Sequence, residues 1–157
     1  MLESYTRLVF LLRPALVVVY DDLVAPAEVP VSWLLHTLSP PSVEADRVTV
    51  DRDPAALNVR LFTAPDDLAL SYTDRHGVDP NEGEPEELHR HQAPQYHLTW
   101  ETGPALRRRF LCVMPVNGAD AQTEEDETQL CVSYQDHVLQ FELDTDGDHP
   151  LLDGRPL

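Results

Sequence analysis

A histidine closes the run Trp33-Leu34-Leu35-His36, at the end of an otherwise apolar stretch. An imidazole buried in such surroundings needs a hydrogen-bond partner, a metal or water, because an unpaired polar ring in an apolar medium costs free energy. In an extended strand Leu34 and His36 share one face while Trp33 and Leu35 share the other. One of the two faces must be buried, and His36 is expected to point into the interior or to the edge of a cleft. Arg107-Arg108-Arg109 is the one basic stripe of the chain. On a strand Arg107 and Arg109 point the same way, and two planar guanidiniums so placed can hold a carboxylate or a sulfate bidentately. The same pair also suits a solvated strand entry that balances nearby acids.

Other residues of reactive type are set in less favourable company. His89-x-His91 puts two imidazoles on one strand face with His97 nearby, half of a metal site. Its neighbours Glu86, Glu87 and Arg90 lie in a proline-bounded acidic stretch, which marks a solvated loop. Asp144-Thr145-Asp146-Gly147-Asp148 resembles a calcium loop in composition, but the glycine falls too early and no bidentate glutamate follows at the required distance. An acidic hairpin or tail is the reading there. Cys112 and Cys131 flank an acidic loop and would stand opposite each other if their strands pair about it. A bridge requires an oxidising compartment, whereas a cysteine in an apolar strand is more often a buried free thiol. No G-x-S-x-G elbow is present, and Tyr20, Tyr72, Tyr96 and Tyr134 fall in or at the ends of predicted strands, where packing is their ordinary role. No residue is assigned to catalysis.

The elements that must position these side chains are strands. Fourteen prolines against six glycines, spread along the chain, leave no room for long helices. Strands are predicted near 5–12, 15–20, 31–38, 47–51, 57–63, 68–72, 95–101, 108–115, 130–134 and 137–143. Alternation is clear in Val48 to Asp51, Leu57 to Leu61 and Val138 to Leu143, so each has one apolar and one polar face. Leu16-Val17-Val18-Val19 is apolar on both faces and reads as a central strand covered on each side. The polar stretches Thr73 to Ala93 and Ala119 to Thr128 are read as loops. The result is an all-β chain, an antiparallel β-sandwich of two packed sheets forming a single domain over 1–157. At this length a domain buries about 70% of its unfolded surface, enough for a core without staples.

Charge narrows the partners. Of 157 residues 28 are acidic and 11 basic, every basic one is arginine, and the formal charge is -17. Such a field repels phosphate backbones and anionic membrane surfaces, so neither nucleic acid nor membrane is expected as a partner. The apolar run near the N-terminus is too short for a membrane span and lacks a small-residue cleavage site, so a soluble chain without a signal peptide is expected.

The order of these motifs is specific enough to suggest a family. The succession of strand, turn, strand ending in Asp21-Asp22, proline-punctuated loop and Trp33-Leu34-Leu35-His36 resembles the later β-sandwich region of heparinase II/III-like polysaccharide lyases, closest to heparinase II. So do Gln95 to Glu101, Arg109 to Val116 and the final hairpin, Leu130 to Leu143. The resemblance implies a supersandwich-like fold and a parent activity of β-elimination on uronic-acid polysaccharides. Catalytic tyrosine and histidine of that family belong to its α-helical toroid and earlier sandwich, which this chain lacks, so the chain alone is expected to be inactive. It further implies that His36 is a zinc ligand in the full-length context, with no cofactor expected for this chain alone. An anionic polysaccharide is the implied partner, with Arg107 and Arg109 as contacts, and a periplasmic or secreted location is implied as well. A stand-alone carbohydrate-binding or structural sandwich module is the alternative, and an exposed aromatic platform built on Trp33 or Trp100 would mark it.

Overall fold

The computed structural model describes residues 2–63, 67–74, 95–125, 129–142 and 150–156. Every regular element among them is a strand: β1 (Ser4–Leu12), β2 (Leu16–Val29), β3 (Ser32–Thr37), β4 (Pro41–Glu44), β5 (Arg47–Arg52), β6 (Ala55–Thr63), β7 (Ala69–Thr73), β8 (Tyr96–Glu101), β9 (Ala105–Pro115), β10 (Gln122–Glu125), β11 (Gln129–Tyr134), β12 (His137–Glu142), β13 (Leu151–Leu152) and β14 (Arg155–Pro156). All ladders between them are antiparallel. The expected all-β antiparallel sandwich is therefore the fold. No helix among the described residues is long and apolar enough to cross a membrane.

Among the described residues three sheets build it, one more than the two expected. A central sheet has the order β1-β2-β9-β6-β5-β4, a second β10-β11-β12-β13-β14, and a third β3-β8-β7. The reason lies in the strands of the central sheet, whose successive side chains point to opposite faces and are apolar on both. Leu16, Val18 and Tyr20 of β2, with Phe62, Leu111 and Val113, pack against Leu130, Val132, Leu139 and Phe141 of the second sheet. Val19, Val59, Leu61, Phe110 and Cys112 pack the other way, against Trp33, Leu98 and Trp100 of the third. Two separate cores result, one on each side of the central sheet. The segment Leu16 to Tyr20 is buried apart from the half-buried Val17, as a strand flanked by β1 and β9 and covered on both faces should be.

Several boundaries differ from expectation. β2 continues past the acidic pair to Val29, with an irregularity in register between Val24 and Val29 that accommodates Pro26. β4 and β10 form where loops or nothing regular are expected. Both are short edge strands rich in polar residues, a composition that suits a sheet edge but carries little apolar periodicity. Of the two predicted loops, 75–94 and 126–128 lie outside the described residues.

Candidate functional site

The Trp33-Leu34-Leu35-His36 run forms most of β3, whose partner is β8. Trp33 and Trp100 face each other across that ladder and pack edge to face, their rings 5.5 Å apart, at 7% and 2% exposure. Neither indole is a surface platform. With Trp33 turned inward, the two-residue period carries Leu34 and His36 outward, and His36 is exposed. The expectation of an inward-pointing His36 is thus overturned. The physical reason is size, since an indole offers far more apolar surface for burial than an imidazole.

On that outer face His36 stands opposite His97, and the two rings lie 4.1 Å apart at 52°. Adjacent imidazoles can contribute two nitrogen ligands, but a closed zinc site needs about four. No group of three or more histidine, cysteine, aspartate or glutamate residues is placed to hold a metal among the described residues. Among the described residues His36 and His97 therefore provide two of the about four ligands a structural zinc requires. His89, His91 and Asp144 to Asp148 lie outside the described residues.

The buried polar group of this region is Asp21, which sequence reading treats only as a strand end. It is 1% exposed and sits on β2 directly opposite Arg7 of β1. Its Oδ1 accepts from Arg7 Nε at 2.6 Å and from the Tyr5 hydroxyl at 3.0 Å. Its Oδ2 accepts from Arg7 Nη2 at 2.7 Å and from Trp33 Nε1 at 2.8 Å. Four donors occupy the four acceptor positions of a carboxylate, which leaves none for a substrate. Burial first, and then the Asp21 charge and hydrogen bond, raise the Tyr5 phenol above its ordinary value, so Tyr5 is a donor here and not a base. The network ties β1, β2 and β3 together beside a cavity of about 300 Å³ lined in part by Tyr5, Arg7, Asp21, Trp33 and Leu34. A signal was present in sequence: with the hairpin centred between Arg13 and Ala15, Arg7 and Asp21 must be cross-strand partners.

The arginine stripe opens β9. Arg107 and Arg109 do share a face, and both turn to Asp22. Arg107 Nε donates to Asp22 Oδ1 at 2.8 Å and its Nη2 to Oδ2 at 2.5 Å, while Arg109 Nε lies 3.5 Å from Oδ2. Arg109 also donates to the Glu142 carbonyl at 3.2 Å, reaching the second sheet. Burial alone would raise the Asp22 pKa, but Arg107 and then Arg109 together outweigh it and hold the carboxyl below its ordinary value. The carboxylate held bidentately is thus one of the chain's own. Arg108 points to the opposite face, is buried, and pairs with Asp67 at 2.7 Å.

The remaining candidates are packing groups. Cys112 is buried and Cys131 half-buried, and both are free thiols. They belong to different sheets, because β11 pairs with β10 and β12 rather than with β9. Burial pushes the Cys112 thiol up, away from the reactive thiolate. Tyr20 is buried in the core and its phenol is pushed up to about 12 by that burial, Tyr134 is buried as well, Tyr96 is half-buried, and Tyr72 is exposed. No family model and no curated protein matches this chain.

Proposed function

We propose that this chain is the later β-sandwich portion of a heparinase II/III-like polysaccharide lyase, supporting and lining the cleft of an enzyme that acts on uronic-acid polymers by β-elimination. On this reading it is not a catalyst by itself. The observation that carries it is an uncovered apolar stripe beside an unpaired strand edge. Tyr5, Val9 and Leu11 of β1 face the side on which the third sheet packs, yet Val9 and Leu11 are 56% and 71% exposed. Their cross-strand partners Val19 and Val17 belong to the core on that side. The third sheet stops at β3, whose other edge carries no partner among the described residues. An exposed strand edge next to an apolar stripe is a surface that a larger sandwich would continue over.

The Trp33-to-His36 motif that carries the family resemblance lies on that edge. In the whole enzyme His36 would supply one zinc ligand and the remaining ligands would come from the adjoining sandwich. The partner would be an anionic polysaccharide, and a periplasmic or secreted location follows from the same resemblance. Nothing favours the stand-alone carbohydrate-binding module, since both tryptophans are buried.

The test is an elimination assay on heparin, heparan sulfate and alginate, following unsaturated uronic products. The chain alone is expected to yield none, and to yield them when combined with the toroid and first sandwich half of such a lyase. Robust turnover by the chain alone, abolished by replacing one of its tyrosines, would overturn the reading, and so would failure to associate with the lyase portion.

A further inference from the structure

β1 is a sheet edge without the features that keep sheet edges apart. Proteins blunt such edges by shortness, proline, charge or a bulge, because a row of unpaired N–H and C=O groups is a template for another strand. Among the described residues the strands that end the three sheets are β1, β4, β10, β14, β3 and β7. β4 and β10 have four residues each and carry glutamate, β14 has two and includes Pro156, and β7 and β3 have five and six. β1 has nine, with no proline, no acidic residue and an unbroken register against β2. Its single charge, Arg7, is already paired with Asp21.

Apolar side chains line this edge on both faces. Leu8, Phe10 and Leu12 are half-buried at the rim of the first core, and Val9 and Leu11 on the other face are exposed. A strand laid beside β1 takes both rows further out of water and satisfies the main-chain groups that β2 does not reach.

Charge selects the strand. Two copies of a chain with formal charge -17 repel unless they meet where acid is scarce, and from Ser4 to Tyr20 there is no acidic residue. Antiparallel pairing over all nine residues sets Leu8 opposite Leu8 of the copy, Tyr5 opposite Leu11, and Val9 opposite Arg7, whose stem is apolar. One step beyond each end of β1 the same register puts Glu3 of one copy opposite Arg13 of the other, and the two-fold axis repeats the pair. Glu3 and Arg13 are both exposed, and neither forms an ion pair among the described residues. A second copy thus matches both charges in the one register that pairs every residue of β1.

We propose that β1 is a self-association edge, at which two copies pair β1 with β1 antiparallel about Leu8 and join their six-stranded central sheets into one. The contact runs along the edge of β1 rather than over its face, and it does not depend on the lyase reading. A single strand pair lies at the low end of interface areas, below about 1,200 Å², so the dimer is expected to exchange in the micromolar range.

The experiment is sedimentation of the full chain from about 1 μM to about 1 mM, a range that brackets such a constant. All substitutions are at exposed side chains, and melting curves verify that each variant is folded. Wild type is expected to pass from monomer to dimer. Val9→Lys sets a second cation opposite Arg7 of the copy and raises the dissociation constant at least tenfold. Glu3→Arg and Arg13→Glu each weaken the dimer about fivefold, and the double variant recovers the wild-type affinity because it only reverses the pair. Leu34→Lys, on the free edge strand β3, leaves the dimer unchanged. A monomer at every concentration would overturn the inference. So would an affinity that Val9→Lys leaves unaltered, a dimer abolished by Leu34→Lys, or oligomers that grow beyond two. A double charge variant no tighter than the single ones would overturn the register, and with it the choice of a second copy. None of these results bears on the elimination assay, so the two readings fail separately.

Discussion

Trp33 donates its indole N–H to Oδ2 of Asp21 across 2.8 Å, a buried bond that joins the third sheet to the central one. The carboxylate is 1% exposed and takes its charge balance from Arg7, whose side chain is nearly half exposed. Removing a partner from a buried carboxylate costs far more than removing a partner that can return to water.

The three donors should therefore differ in their cost. Arg7→Ala leaves a buried, uncompensated charge and is expected to destabilise by about 3–5 kcal/mol. Tyr5→Phe removes one of four hydrogen bonds to the buried carboxylate while its charge partner stays, about 1.5–3 kcal/mol. Trp33→Phe keeps much of the packing but loses the sheet-to-sheet bond, and falls between them. Chemical denaturation of the three variants checks the order; a Tyr5→Phe cost exceeding that of Arg7→Ala contradicts it.

Acid should weaken the fold through Asp22. Its carboxyl is held below the ordinary value by Arg107 and Arg109 against the opposing effect of burial. The stabilisation is present above the unfolded aspartate value of about 3.9 and is lost as pH falls through the lower folded value. Asp22→Asn is expected to be less stable at neutral pH and to show a shallower loss of melting temperature below about pH 4. An unchanged acid limb would remove Asp22 from the account.

Thiol chemistry separates the two cysteines. Cys112 is buried in the core with its thiol pushed up by burial, and Cys131 is half-buried on another sheet. A thiol reagent should modify Cys131 in the native chain and reach Cys112 only on unfolding. Reductant should leave the melting temperature unchanged. Rapid native labelling at Cys112 would contradict the burial on which this rests.

Zinc should bind this chain weakly. His36 and His97 offer two imidazoles, and two ligands hold zinc loosely. Zinc is expected to be lost on desalting, to leave the melting temperature unchanged, and to lose its residual binding in His36→Ala. Stoichiometric zinc retained through desalting would show a further ligand that this pair lacks.

Strand positions were legible because alternation is a local property. Val48 to Asp51 and Leu57 to Leu61 carry their period of two in the chain itself, and Leu16 to Val19 declares burial on both faces by being apolar throughout. What sequence could not decide was which sheets those faces would meet. Two apolar faces on β2 require two covers, but only the tertiary arrangement shows that β11 and β12 supply one and β3 and β8 the other. The same limit applies to the polar groups. Alternation placed Leu34 and His36 on one face, and packing of Trp33 against Trp100 turned that face outward. Arg107 and Arg109 were correctly put on one side of a strand, but Asp22, 85 residues away in sequence from Arg107, meets them only because β2 pairs with β9. Local chemistry specified each strand, while long-range pairing chose its neighbours, because the free energy of burying a face depends on what lies against it.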